Sequence, residues 1–163
     1  MRTSRPPDRR AGLAKGNRLD YCAAVRASLV LAFLLAAVPA AACADPCKAV
    51  PDRGPAPAFL RAGASFSGPV VYVGDGDSLC VAVGPGAQNW VEVRLADFYA
   101  PELASSDGRR AKAALERIAM GRTAHCIAEH QSYDRIVARC TVSGQPLGNR
   151  MRAAGVAEGG NGH

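Results

Sequence analysis

Three short stretches hold the residues whose types and spacing could do chemistry. In Asp75-Gly76-Asp77-Ser78, two carboxylates stand on a glycine turn, and oxygen ligands of that kind suit a hard cation. The same composition also makes an ordinary hairpin turn, because Asp and Gly dominate turns for backbone reasons. Further on, Arg94 lies within an alternating apolar stretch and Glu102 follows Pro101. Taken singly, Arg94 is a strand charge facing solvent, as its neighbour Glu92 is expected to be, and Glu102 is a helix-start acid. The third stretch, Tyr133-Asp134-Arg135, reads as a solvated hairpin tip. Together, Asp77, Arg94, Glu102 and Arg135 supply a metal-binding acid, two guanidinium groups and a general base. Phosphodiester hydrolysis needs that set. A cation polarises the phosphoryl oxygen, a carboxylate takes the proton of the attacking water, and guanidinium pairs hold the phosphate as charge builds on it.

The elements that must position these groups can be read from periodicity. PVVYV (69–73), SLCVAV (78–83) and WVEVRLADFYA (90–100) are strands joined by the GDGD turn and a Gly/Pro loop. In 109–120, Ala111, Leu115, Ile118 and Ala119 recur at helical spacing, with Ser106 or Asp107 to cap the start and Gly121 the end. Residues 123–130 and 135–142 make a strand hairpin across QSYD, and 146–155 a short helix with Pro146 in its first turn. The order β-β-β-α-β-β-α predicts a mainly β (α+β) domain compatible with a five-stranded OB-type barrel carrying two helices. A small α+β sandwich would give the same string. His125 and His130 are expected on the surface.

What precedes that domain differs in composition. Residues 1–44 combine a basic segment, an apolar run from Ala27 to Ala40 and the small-x-small site Ala42-Cys43-Ala44. This is the pattern of a secretory signal peptide cleaved after Ala44, and the apolar run, broken by Pro39, is short for a bilayer span. The expected product is secreted or periplasmic and free of the membrane. The chain as a whole is +6, but residues 45–163 hold 13 basic and 12 acidic side chains, so the high pI belongs mostly to the leader. It is no nucleic-acid footprint of the mature domain. Residues 45–68 are rich in Pro, Gly and Ala and read as an irregular arm; 158–163 read as a flexible tail. Beyond the leader, Cys47, Cys80, Cys126 and Cys140 remain, and an even count in an exported chain favours disulfides, with three pairings open. No two of them stand at the C-x-x-C spacing of a zinc site.

The three stretches, in this order and spacing, resemble the staphylococcal nuclease-like family. VVYVGDGDSL, VRLADFYAPEL and SYDRIVARC are similar to its DGDT turn, its Arg-Leu strand running into Asp-x-Pro-Glu and its Tyr-Gly-Arg turn. AKAALERIAMG and PLGNRMRAAGVA sit where that family has helices, so the resemblance covers about residues 69–157. It implies an OB-type barrel and a nuclease that hydrolyses phosphodiester bonds of single-stranded or flexible DNA or RNA with Ca²⁺, acting as a monomer. It also implies roles. Asp77 is the calcium-binding acid and Asp75 the acid beside it. Arg94 and Arg135 contact phosphate, with Tyr133 next to the substrate. Glu102 is the general base. The family's second calcium-binding Asp falls on Tyr99, and Asp97 is the candidate substitute. In a regular strand Asp97 would share Tyr99's face about 6–7 Å away. The glycine of Tyr-Gly-Arg falls on Asp134. Exported relatives carry cysteines in both strands of the late hairpin, which implies Cys126 with Cys140 and leaves Cys47 with Cys80. The alternative reading is an OB-type module that binds nucleic acid, a glycan or a protein without cleaving anything.

Overall fold

The computed structural model describes residues 45–49 and 54–159. The expected signal peptide, its cleavage site and residues 160–163 lie outside the described residues. The strands are β1 (Ser65–Val73), β2 (Ser78–Ala82), β3 (Trp90–Leu95), β4 (Thr123–Ser132), β5 (Arg135–Val142) and the two-residue β6 (Gln145–Pro146). The helices are α1 (Ser106–Ala119) and α2 (Leu147–Ala153). Single 3-10 turns occur at Pro46–Ala49, Ala58–Leu60 and Ala87–Asn89.

β1, β4 and β5 alternate between an inner and an outer face, the period-2 pattern that half-buries a strand, whereas β2 and the middle of β3 are covered on both faces. Val91, Val93 and Leu95 of β3, Ala124, Cys126 and Ala128 of β4, and Ile136, Ala138, Cys140 and Val142 of β5 are all buried. β1 pairs antiparallel with β2 and β4, β2 with β3, and β4 with β5. A parallel pairing of β3 with β5, Val93 opposite Ile136 and Leu95 opposite Ala138, closes the circuit. The result is a closed five-stranded mixed barrel with β6 added beside β5, mainly β and OB-fold-like, with two helices. Register shifts between Val70 and Tyr72 and between Ala128 and His130 mark bulges, the device that bends long strands around a small barrel. Ala111, Ala114, Leu115 and Ala119 of α1, with Phe98 and with Leu147 and Met151 of α2, complete the core.

Several boundaries differ from the pattern reading. β1 begins at Ser65, so the last four residues of the expected arm are strand: Ser65 to Pro69 pair with Ile127 to Thr123. Pairing across to β4 supplies the strand where Phe66 alone, between serines and a glycine, gave little local signal. β3 stops at Leu95, and Ala96 onward forms the loop to α1, so the expected strand over 90–100 is shorter. α1 starts at Ser106 because Ser105 caps it, its Oγ accepting from Gly108 N–H at 2.9 Å. Gly121 follows α1 at φ +72°, as a left-handed terminator should. Glu158 and Gly159 are not a free tail: Glu158 pairs with Arg152, and Gly159 N–H donates to the Tyr99 carbonyl at 3.2 Å.

Disulfides join Cys47 to Cys80 and Cys126 to Cys140, with Cα separations of 5.9 and 4.1 Å. The first ties the 46–49 turn onto β3's neighbour, β2. The second links directly opposed residues of β4 and β5. Bonds of this kind are consistent with an oxidising, extracellular or periplasmic location. No helix among the described residues is long and apolar enough to cross a membrane.

Candidate active site

The site is built on the turn between β1 and β2. Gly74 N–H donates to the Ser78 carbonyl at 3.0 Å and closes the turn, while Asp75 Oδ1 accepts from Asp77 N–H at 3.0 Å. Gly76 is pressed against the loop after β3 and against α1: a Cβ there would lie 2.6 Å from the Ala100 Cβ and 2.4 Å from the Ala111 Cβ. The glycine is therefore needed for close approach. That approach carries Asp77 inward, where it is 3% exposed.

Asp77 works as a latch between three segments. Its carbonyl accepts from Leu95 N–H at 2.8 Å, at the end of β3. Its Oδ2 accepts from Ala100 N–H at 2.8 Å and faces Arg94 Nη2 at 3.5 Å. Burial raises the Asp77 pKa to about 6, the Ala100 N–H opposes that rise, the Asp75 charge adds to it, and the Arg94 charge offsets part of it. Burial also pushes Asp75 upward, but the Asp77 N–H and the Ser78 hydroxyl win and hold its carboxyl below the usual range. The two neighbouring acids are thus pushed apart in acidity, Asp75 ionising first.

Arg94 and Arg135 share a face. Arg94 stands opposite Val137 in the parallel β3–β5 pair, and Arg135 precedes Val137 by two residues. The alternation of side chains puts Arg135 on the same outer side, one strand over and about 6–7 Å along. Both arginines are half-buried. Glu102 is exposed and lies two residues past Ala100. Its carbonyl accepts from Ser105 N–H at 2.9 Å and Ser105 Oγ at 2.7 Å, which fixes it at the start of α1. Tyr133 stands at the β4–β5 tip, 89% exposed, with φ +56°. The left-handed residue of this turn is Tyr133, so residue 134 needs no glycine and Asp134 is tolerated.

Two expectations fail here. Asp97 does not stand beside Tyr99 on a strand: β3 has ended, and the Asp97 Oδ2 turns to the Gly148 N–H at 3.3 Å, at the start of α2. One of its two oxygens is thus held at the start of α2 and not beside Asp77. Glu92, expected in solvent, is 8% exposed. It lies opposite Cys80 on the outer face, where the disulfide brings the 46–49 turn against β3. Alternation gave its face correctly, but the covering by a distant arm is invisible to a local pattern. The Ala100 N–H is a further participant without a sequence signal.

The donor set does not fit the calcium site that the resemblance implies. Asp77 Oδ2 meets the Ala100 N–H and Arg94, Asp75 Oδ1 its own turn and Asp97 Oδ2 the Gly148 N–H; among the described residues these acids form no group of three converging ligand atoms, and Tyr99 has no carboxylate. Among the described residues, the group of three ligand atoms that does converge is Asp45, Cys47 and Cys80, whose sulfurs are joined in a disulfide. What the arrangement offers is a guanidinium pair on an outer face, braced by a buried acid, with an exposed carboxylate on the adjoining loop. Compared with protein-family models, the chain matches none, and a search of curated proteins finds no match.

Proposed function

We propose that this protein is an exported phosphodiester hydrolase acting on single-stranded or flexible DNA or RNA. The observation that supports this best is the parallel β3–β5 register, which puts Arg94 and Arg135 on one outer face of adjacent strands while Asp77 braces Arg94 from behind. Two guanidinium groups on one face suit a phosphate, each able to donate two parallel hydrogen bonds. They bind the diester and stabilise the charge that grows on its oxygens as water attacks. Glu102, exposed on the loop that Asp77 anchors, takes the proton of that water. Asp77 touches no substrate in this scheme; it holds Arg94 and the Ala100 peptide in place. No step is routed through a metal ion, because among the described residues these acids do not converge as a group of three ligands.

Cleavage of a labelled single-stranded oligonucleotide by the oxidised, purified protein tests the reading, with Ca²⁺, Mg²⁺ and chelator as separate arms. Glu102→Gln and Arg135→Ala should each slow cleavage by ~10²-fold or more. Cleavage at an unchanged rate in both variants would sink the mechanism. A second reading, a binding module without catalysis, is favoured by Tyr99 at the position of a carboxylate. It predicts salt-sensitive oligonucleotide binding with no cleavage in any arm.

A further inference from the structure

A groove of about 820 Å³ lies on the outer face of β1, β4 and β5, walled by α2 and by the loop that leaves β3. Its surface combines unlike chemistries. Tyr99 and Ile127 are 36% and 55% exposed and give it flat apolar walls. His125, Arg139 and Thr141 give it donors. At its edge, Asp97 carries an acceptor that the fold leaves unused: Oδ1 is buried and, among the described residues, has no hydrogen-bond partner, while Oδ2 is held by Gly148 N–H. A buried carboxylate oxygen without a donor is costly, and such atoms are met by a ligand or water.

The groove and the proposed cleavage site both draw on the outer face of β5. Arg135, Val137, Arg139 and Thr141 alternate onto one outer face of β5, the pattern that buries Ile136, Ala138, Cys140 and Val142. Arg139 therefore follows Arg135 along the same strand at about 13 Å, four residues at the strand rise. Arg139 is paired with Glu129, but Arg139 is exposed and Glu129 partly so, and such a pair contributes little, so the phosphate of a nucleotide already seated in the groove can take the guanidinium over.

We infer that this groove is a nucleotide subsite. The nucleotide neighbouring the cleaved phosphate lays its base against Tyr99 and Ile127, donates an exocyclic amino group to Asp97 Oδ1 and sets its phosphate at Arg139. The inference rests on the phosphodiesterase reading. It adds a preference for bases that carry an amino group, adenine, cytosine and guanine. Thymine presents carbonyl oxygens on either side of its one N–H, and these face the carboxylate unfavourably.

The test is a titration of ¹⁵N-labelled oxidised protein with inorganic phosphate, with the dinucleotide pApA and with pTpT, following backbone amides. Phosphate should move amides around Arg94 and Arg135 alone. The dinucleotides should also move residues 65–67, 125–127 and 139–141. pApA should bind about tenfold more tightly than pTpT, the worth of one hydrogen bond to a charged group. Asp97→Asn should abolish or reverse that preference, because its oxygen stays on Gly148 N–H and its NH₂ enters the groove. Arg139→Gln, an exposed change that spares the fold, should weaken dinucleotide binding several-fold and leave phosphate binding alone. If groove amides stay still while those at Arg94 and Arg135 move and oligonucleotide is cut, the subsite is refuted and the hydrolase reading stands. If neither region responds and nothing is cut, both are refuted. Equal affinity for the two dinucleotides, unchanged in Asp97→Asn, overturns the role of Asp97.

Discussion

Burying Asp77 under the β1–β2 turn should leave a measurable mark on stability against pH. Its pKa rises from 3.8 to about 6 on folding. Each unit is worth ~1.36 kcal/mol, so ionising Asp77 in the native state costs ~3 kcal/mol more than in the unfolded chain. The sign follows from proton binding. Between pH 4 and 6 the native state holds the Asp77 proton and the unfolded chain has lost it, so this contribution is fully present below pH 4. It is lost as pH rises through about 6. Asp75, shifted downward, contributes in the opposite sense and only at more acid pH, below 3.8. Asp77→Asn keeps an oxygen for the Ala100 N–H and removes the titration. Urea unfolding followed by the single tryptophan, Trp90, at a series of pH values reads the effect. The stability of wild type minus that of the variant should fall by ~3 kcal/mol from pH 4 to pH 7.5, a midpoint change of ~1–3 M urea. A difference that stays flat with pH, or an Asp77 carboxyl that titrates near 4 by NMR, would refute the burial argument and with it the bracing of Arg94.

Further outcomes rest on the same geometry. Arg94→Gln removes the charge that offsets Asp77's burial, so the Asp77 carboxyl should titrate above about 6 by NMR, and phosphate binding should weaken. Gly76→Ala puts a methyl within 2.6 Å of both Ala100 and Ala111, so it should destabilise by ~1–3 kcal/mol in urea and slow cleavage by displacing Asp77. Replacing Cys126 and Cys140 by Ser opens a closure of 14 residues and should cost ~3 kcal/mol in thermal or urea unfolding. The corresponding Cys47/Cys80 change, across 33 residues, should cost slightly more, ~4 kcal/mol, and expose Glu92.

Local chemistry carried much of the structure. Alternation in VEVRL predicted which of its residues line the barrel, because a strand has two faces and the apolar residues must take the inner one. Helical spacing in 109–120 and the turn residues around Asp75 and Gly76 fixed α1 and the β1–β2 hairpin to within a few residues. The candidate groups Asp77, Arg94, Glu102 and Arg135 were legible from type and order. Three things were not, and each depends on segments far apart in the chain. The neighbourhood of Arg94 and Arg135 exists only because β3 and β5 pair in parallel, and no local pattern encodes the closing pair of a barrel. The pKa of Asp77 is set by burial beneath Gly76 and by the Ala100 N–H, so its acidity is a property of packing. The fates of Asp97 and Glu92 were decided by what covers them, α2 in one case and the Cys47 arm in the other. A residue's own sequence determines which way it can point; only the assembled fold determines what it meets there.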